Sequence, residues 1–316
     1  MAQKTGSIPP CTGKAHYRIT NWGSYNRALV DRGRLTLWID EDVLRGWRAQ
    51  GGKGRRYSDL AIRAALCLRA VFRLALRQTQ GFMESLKRLM ELTIDVPHYS
   101  TLSRRAKGLD VPVASQAKGP LNIAIDSTGL KVFGEGEWHM RQHGKGKRRI
   151  WRKLHLAVDT ANGEILAHKL TDNNTHDGPE LPGLLAQIDG AIDAVSSDKA
   201  YDSFANHAAI LERNARPLIP PRKGAAITPP PGLKNPPPTR GQIVKRMNQI
   251  GTKGWKIESG YHRRSLSETA MYRYKTILGS ALKNRKLSTQ KTEAAIGIHC
   301  LNTFTKLGMP FSVKMG

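Results

Sequence analysis

The chain has 316 residues, enough for one large or two ordinary domains, and its 39% hydrophobic content marks a globular protein. Lys and Arg total 51 against 25 acids, a formal charge of +26 and a pI near 10.4. That balance points to a polyanionic partner, nucleic acid first and anionic membrane second.

No apolar run approaches the roughly 18–20 residues of a spanning helix. The opening "MAQKTGSIPPCTGKAHY" has no apolar signal core, so the sequence reads as cytosolic. Cys11, Cys67 and Cys300 are isolated, which argues against a disulfide framework or a zinc knuckle. Residues 1–50 are mixed, and a Gly-rich basic link, "GGKGRR", follows. "YSDLAIRAALCLRAVFRLALRQ" then predicts one long helix, with Ser58 as its N-cap and Asp59 in its first turn. Arg63, Arg69, Arg73 and Arg77 would share an arc of roughly 120°, either a solvated face or a phosphate-contacting one.

A second helix is predicted over 79–93, with Phe82, Leu86, Leu89 and Met90 inward. "DVPHYSTLSRRAKG" offers a turn at Pro97, a cap at Ser100 or Thr101, a short basic helix with Arg104 and Arg105, and a stop at Gly108. Helix, helix, tight turn and short basic helix outline a helix-turn-helix, or any small helical bundle. Ser100, Thr101, Arg104 and Arg105 are its candidate DNA contacts.

Near residue 120 the pattern changes. "LNIAID", "KLHLAVD" and "GEILAHKL" predict three strands joined as a meander. A helix over 177–188, a strand over 191–198, a helix over 203–214 and a short strand at 216–220 follow. This is the order of a ribonuclease-H-like domain, an α/β class with a mixed central sheet flanked by helices. Nine of the 17 prolines lie within 217–238, which predicts an extended surface loop. The chain from about 240 is helical in outline.

Asp126 is expected to close the first strand and Asp198 the fourth. Those strands are neighbours in such a fold, so the two carboxylates would converge. Converging carboxylates repel unless one is protonated or a hard cation such as Mg²⁺ stands between them. Each is equally readable, alone, as a turn or cap residue. Asp159 also ends a strand, and Asp202 reads as the N-cap of the next helix.

The stretch "YHRRSLSETAMYRYK" sets one acid, Glu268, among Arg263, Arg264, Arg273 and Lys275. A capping box from Ser265 and an i,i+4 pair with Arg264 are its plain readings. On a continuous helix, Tyr261, Arg264, Glu268, Tyr272 and Lys275 would share a face within about 80°. One acid with flanking bases and phenols suits a metal-and-phosphate site. "RQHGKGKRRIWRK", residues 141–153, carries seven Lys or Arg and no acid, including Lys147, Arg148 and Arg149. It is either a DNA track or a solvated hairpin. His139 and His143 are spaced i,i+4, but the nearby glycines argue against a zinc site.

"IAIDSTGLKVFGEGEW", "RRIWRKLHLAVD", "SDKAYDS", "LIPPRKGA" and the spacing of Tyr261, Arg264, Glu268 and Lys275 together resemble a DDE transposase. The likeness is to the insertion-sequence-5 family, insertion-sequence-903 subgroup, and "ITNWGSYNRALVDRG", "RRYSDLAI" and "VFRLALRQTQGF" extend it towards the N-terminus. Lys199 stands where such relatives usually have glycine.

The resemblance implies an acid triad of Asp126, Asp198 and Glu268 holding two Mg²⁺ ions, with Mn²⁺ as a substitute. It implies Tyr261, Arg264 and Lys275 at the DNA backbone, and DNA cleavage and strand transfer at the ends of an insertion sequence. Element-end and target DNA would be the partners, with a homodimer or higher assembly when two ends are paired. There would be no membrane or small-molecule substrate, and the location would be cytoplasmic, in a bacterium, at the nucleoid. The implied division is an end-binding helical domain over 1–115, a catalytic domain over 116–285 and a C-terminal helical segment over 286–316.

Overall fold

The computed structural model describes residues 17–51, 56–113, 119–132, 151–228 and 237–315. The N-terminal part is helical: α1 (Trp22–Asp31), α2 (Glu41–Arg45), α3 (Asp59–Val71), α4 (Leu76–Leu89) and α5 (Tyr99–Arg105). Ser58 caps α3 as the sequence predicts, its hydroxyl accepting from Ala61 N at 3.1 Å.

The long helix predicted across 57–78 is broken. Arg73 adopts a φ of 54°, in the left-handed region, so the chain turns between α3 and α4. A uniform run of good helix formers gave no warning of that turn. The turn rotates α4, so Met83 and Leu86 are buried while Leu89 is 76% exposed, against the expectation for Leu89 and Met90. Between α4 and α5 the connection Met90–His98 is much longer than the tight turn expected.

The second part is an α/β layer. Its strands are β2 (Leu121–Val132), β3 (Trp151–Asp159), β4 (Ile165–Asp172), β5 (Ile192–Ser197) and β6 (Arg216–Leu218), after a short β1 (Tyr17–Ile19). The order across the sheet is β4-β3-β2-β5-β6. β2, β3 and β4 run antiparallel, while β5 and β6 join in parallel. That mixed order is ribonuclease-H-like. α6 (Leu181–Leu185) and α7 (Phe204–Glu212) form the crossovers, followed by α8 (Thr239–Glu258), which bends at Gly251, and α9 (Ser265–Ile277). β7 (Ala281–Leu282) pairs with the far end of β2. α10 (Leu287–Leu307) and β8 (Ser312–Lys314), which pairs with β1, complete the chain.

Alternation divides the sheet between two cores. Ile123, Ile125 and Ala157 pack under α6 and α7. Leu154, Leu156, Val158 and Leu130 face α9 and α10. Each large aliphatic withdrawn from water in this way contributes about 1.5–3 kcal/mol before entropy is counted. α10 is buried on two sides: Ala294, Ile298 and Leu301 meet the sheet, while Ile296, Cys300 and Phe304 enter the N-terminal core with Trp38 and Ala65. Asn302 fastens it to β4, exchanging two hydrogen bonds with the Ile165 backbone at 2.9 and 2.7 Å. Gly297 permits this close packing, since a Cβ there would meet the Tyr274 ring at 2.7 Å.

Candidate active site

Alternation along β2 decides where Asp126 points. Ile123 and Ile125 enter the core under α6 and α7, so Asp126 turns to the face that α9 covers. The last parallel pair between β2 and β5 is Ile125 with Ser197. Asp126 and Asp198 each lie one residue beyond it, side by side where β5 leaves the sheet. The expectation that Asp126 closes its strand is corrected: β2 continues to Val132 in a hairpin with β3, and only the neighbour ends. Alternating residues beyond Asp126 are half-buried rather than apolar, which hid the continuation.

Both aspartates also make the local bonds of turn residues. Ser127 N donates to Asp126 Oδ1 at 2.8 Å, and Ala200 N donates to Asp198 Oδ1 at 2.8 Å. Asp159, the competing strand-end acid, is buried at the opposite end of the sheet, opposite Ile123, and closes its own turn through Ala161 N at 2.9 Å.

Glu268 arrives on α9. Gly260, with a φ of 69°, reverses the chain after α8, and Tyr261–Arg264 forms a 3-10 turn that runs directly into the helix. The capping box is absent. Ser265 already lies inside the helix and its hydroxyl donates to the His262 carbonyl at 3.0 Å.

Arg264 then reaches both ways. Its Nη1 donates to Asp126 Oδ2 at 2.8 Å and its Nη2 to Glu268 Oε1. One guanidinium thus joins an acid on the sheet to an acid on the helix. The rest of the expected stripe separates. Tyr261 is buried, donating its hydroxyl to the Ser197 carbonyl at 3.1 Å, while Tyr272 is 70% exposed and Lys275 half-buried.

Burial raises the Asp126 pKa, and the nearby Asp198 and Glu268 charges add to it, against the Ser127 N–H and Arg264. For Arg264 burial acts to lower the pKa, but Tyr261, Asp126 and Glu268 outweigh it and the pKa rises. Tyr201, buried beneath the site, is raised by burial first and then by Asp177, Asp126, Asp198 and Glu180.

The support for Asp198 was not read from the sequence. Asp202 is buried and is not the cap of α7; Ser203 caps it, accepting from Asn206 N at 3.2 Å. Asp202 instead receives Arg240 at 2.7 and 3.0 Å and the Arg222 backbone N–H at 2.9 Å. Arg222 also donates to the carbonyls of Lys199 at 3.2 Å and Ala200 at 2.8 Å. Arg222 within the Pro-rich stretch and Arg240 just after it therefore grip the turn that carries Asp198. The available signal was an Arg within the prolines, another just after them and a second acid in "SDKAYD".

The DNA-contact candidates divide. Ser100 and Arg104 are exposed on α5 and Thr101 is half-buried; none is the cap, because His98 holds that position. Arg105 is paired with Asp59 and donates to the Tyr57 carbonyl at 2.8 Å. Of the four arginines of the predicted arc, Arg69 bonds Asn284 at 3.4 Å and Arg73 bonds the Ile277 carbonyl at 3.0 and 3.2 Å. Lys147, Arg148 and Arg149, with His139 and His143, lie outside the described residues. At the end of that basic run, Arg152 pairs with Asp172 at 2.7 Å and Lys153 with Asp177 at 3.2 Å.

Three carboxylates suit a hard divalent cation in kind. As arranged, with Arg264 between two of them, no group of three His, Cys, Asp or Glu among the described residues stands close enough to hold a metal. Asp126, Asp198 and Glu268 are oxygen donors of the kind such an ion takes, and Arg264 occupies the place between two of them.

Two family models described as a transposase DDE domain match the chain, one over residues 30–135 and the other over residues 117–303. Among solved structures, the chain is similar to the piggyBac transposase synaptic complex with hairpin DNA, determined by cryo-EM. The identity is 14%, with 88% of this chain and 74% of that chain covered, at a TM-score of 0.43. The fold assignment rests on the strand order above rather than on that likeness.

Proposed function

The chain belongs to the transposase DDE-domain family, and on that premise we propose that Asp126, Asp198 and Glu268 are its catalytic acids. The enzyme would bind the terminal inverted repeats of an insertion sequence, cleave there and join the ends to target DNA. The motifs quoted above support a place in the insertion-sequence-5 family, insertion-sequence-903 subgroup. One observation carries the reading. Two acids stand at the same level, one within β2 and one just past the end of β5, and a single guanidinium links the first to an acid on the covering helix.

The three carboxylates would hold two divalent ions, Mg²⁺ with Mn²⁺ as a substitute, which supply an activated oxygen nucleophile and stabilise the leaving oxygen. Asp126 is fixed by the Ser127 N–H and Asp198 by the Ala200 N–H, one oxygen of each. Glu268 is half open to solvent. Arg264 holds the acid pair in the resting protein, and when released its fork suits a phosphodiester oxygen. Tyr261 positions rather than reacts, because its hydroxyl is committed to Ser197 beneath the acids. Lys275 is a phosphate contact further along α9.

Residues 1–115 would recognise the ends, 116–285 would carry the chemistry and 286–316 would brace both, in a dimer or larger assembly that pairs two ends.

The test incubates the protein with Mg²⁺, a labelled duplex carrying the element's ends and a target plasmid. Strand-transfer products are expected. Cleavage without joining would make the protein a nuclease, and neither product with intact end binding would make it a regulator.

A further inference from the structure

Away from the three acids lies a second polar region. α3, α4 and α5 form one wall of a groove of about 1100 Å³, and the segment 283–289 forms the other. Eight of the residues lining it are Lys or Arg, and none is Asp or Glu. On the first wall, Ser100, Ser103, Arg104 and Lys107 follow helical spacing and face the groove together. On the second, Lys283, Arg285 and Lys286 project from a backbone fixed behind them. Glu293 accepts the N–H groups of Lys283 and Asn284 at 2.8 Å, which turns its charge to the backbone and leaves the lysine and arginine side chains outward.

The two walls form one unit. Lys283 Nζ donates to the Arg73 carbonyl at 2.6 Å, and Arg69 bonds Asn284 at 3.4 Å. The second wall is also joined to the catalytic sheet, because it follows β7, which pairs with the far end of β2. Arg104, Lys107, Arg285 and Lys286 are exposed and hold no acid among the described residues. The cations crowd one another. The Lys283 pKa is lowered first by burial and then by Arg69, with Glu293 opposing and Arg73 adding, so an incoming anion relieves the repulsion between Lys283 and the two arginines. Single-stranded binding sites offer bare aromatic platforms. Here the one lining aromatic, Tyr99, is covered by Arg77 at 4.6 Å, which favours a duplex backbone.

We propose that this composite groove binds the phosphate backbone of duplex DNA, so that DNA held by α5 also lies along Lys283–Lys286 at the end of the catalytic sheet. The inference rests on the transposase reading above and extends its DNA contacts from the N-terminal helices to the C-terminal segment. The contacts are to phosphates, so they position the duplex without reading its sequence.

The test measures binding of full-length protein by fluorescence anisotropy across a salt series. The probes are a duplex of the terminal repeat, a scrambled duplex of equal length and a duplex RNA. The variants are Arg104→Ala with Lys107→Ala on one wall, and Arg285→Ala with Lys286→Ala on the other, each checked by thermal melting. Each pair is expected to flatten the slope of log affinity against log salt by about 1.8, from about 0.9 per phosphate, and to weaken both DNA duplexes about ten- to a hundredfold near 0.1 M salt. If the Arg285/Lys286 pair leaves affinity and slope at the wild-type values while wild type binds the repeat, the groove proposal is overturned and the transposase reading stands. If wild type binds neither DNA duplex, both fail. Tighter binding of the duplex RNA overturns the groove proposal as well.

Discussion

The acid end of the sheet and the basic groove handle charge in opposite ways. At the sheet, Arg264 pairs with both Asp126 and Glu268 from within the chain. In the groove, eight cations line the walls with no acid among them. The first region holds one internal cation among three acids and is set to exchange it for another. The second is unbalanced and is completed only by a polyanion. Cations therefore gather where a backbone would lie and are met by acids where chemistry would occur.

The sharpest way to break that contrast is to remove one acid. Asp198→Ala is expected to lower DNA cleavage by about a thousandfold or more, several kcal/mol of barrier, while leaving affinity for the repeat duplex unchanged. A groove variant should do the reverse, weakening binding at low protein concentration and sparing the cleavage rate once DNA is saturating. Gel-based cleavage with parallel anisotropy separates the two.

Next in size is the support beneath Asp198. Asp202→Ala leaves Arg240 buried without its partner and should cost about 3–5 kcal/mol, read by urea unfolding. The loss should be accompanied by proteolytic opening of the Pro-rich segment, since Arg222 within it and Arg240 just after it both bond to Asp202.

The fold is also acid-sensitive. Burial lowers the pKa of His168 to about 4 and that of His207, which also faces Asp202 and Arg240, to about 4. Each ring is neutral in the fold and binds its proton more readily when unfolded. Stability is therefore fully present above the ordinary histidine value near 6.5 and is lost as pH falls from there towards 4, by about 1.4 kcal/mol per pH unit per histidine. Melting temperature against pH checks it, and His207→Gln should reduce the slope.

The smallest effect concerns Arg264. Arg264→Ala removes the internal cation, and Mn²⁺ binding without DNA should tighten about tenfold by calorimetry, since a hydrogen bond to a charged group no longer competes. Unchanged Mn²⁺ affinity would mean that the guanidinium does not occupy the place the metal takes.

Much of the sheet was legible because period-two alternation is a local signal: Leu154, Leu156 and Val158 do line one face. What alternation could not give was the end of β2, because beyond Asp126 the strand is held by pairing with β3 rather than by burial. The break at Arg73 was illegible for a related reason. Its left-handed turn is stabilised by bonds to Thr276 and Ile277, remote in sequence. Ser265 misled because serine three residues before glutamate describes a cap equally well on a helix that has already begun. The three candidate acids were visible as residues, but the arginine that joins two of them and the buried Asp202 that steadies the third required the fold.

The central claim is that Asp126, Asp198 and Glu268 work as one site. The direct measurement is the Mg²⁺-dependent cleavage rate of the three single alanine variants beside the triple variant, on the same end-bearing duplex and with binding held equal. A single catalytic unit predicts that each single variant falls to the level of the triple. Cleavage by Glu268→Ala well above the triple variant, with stable folding, would contradict it and leave only the two aspartates.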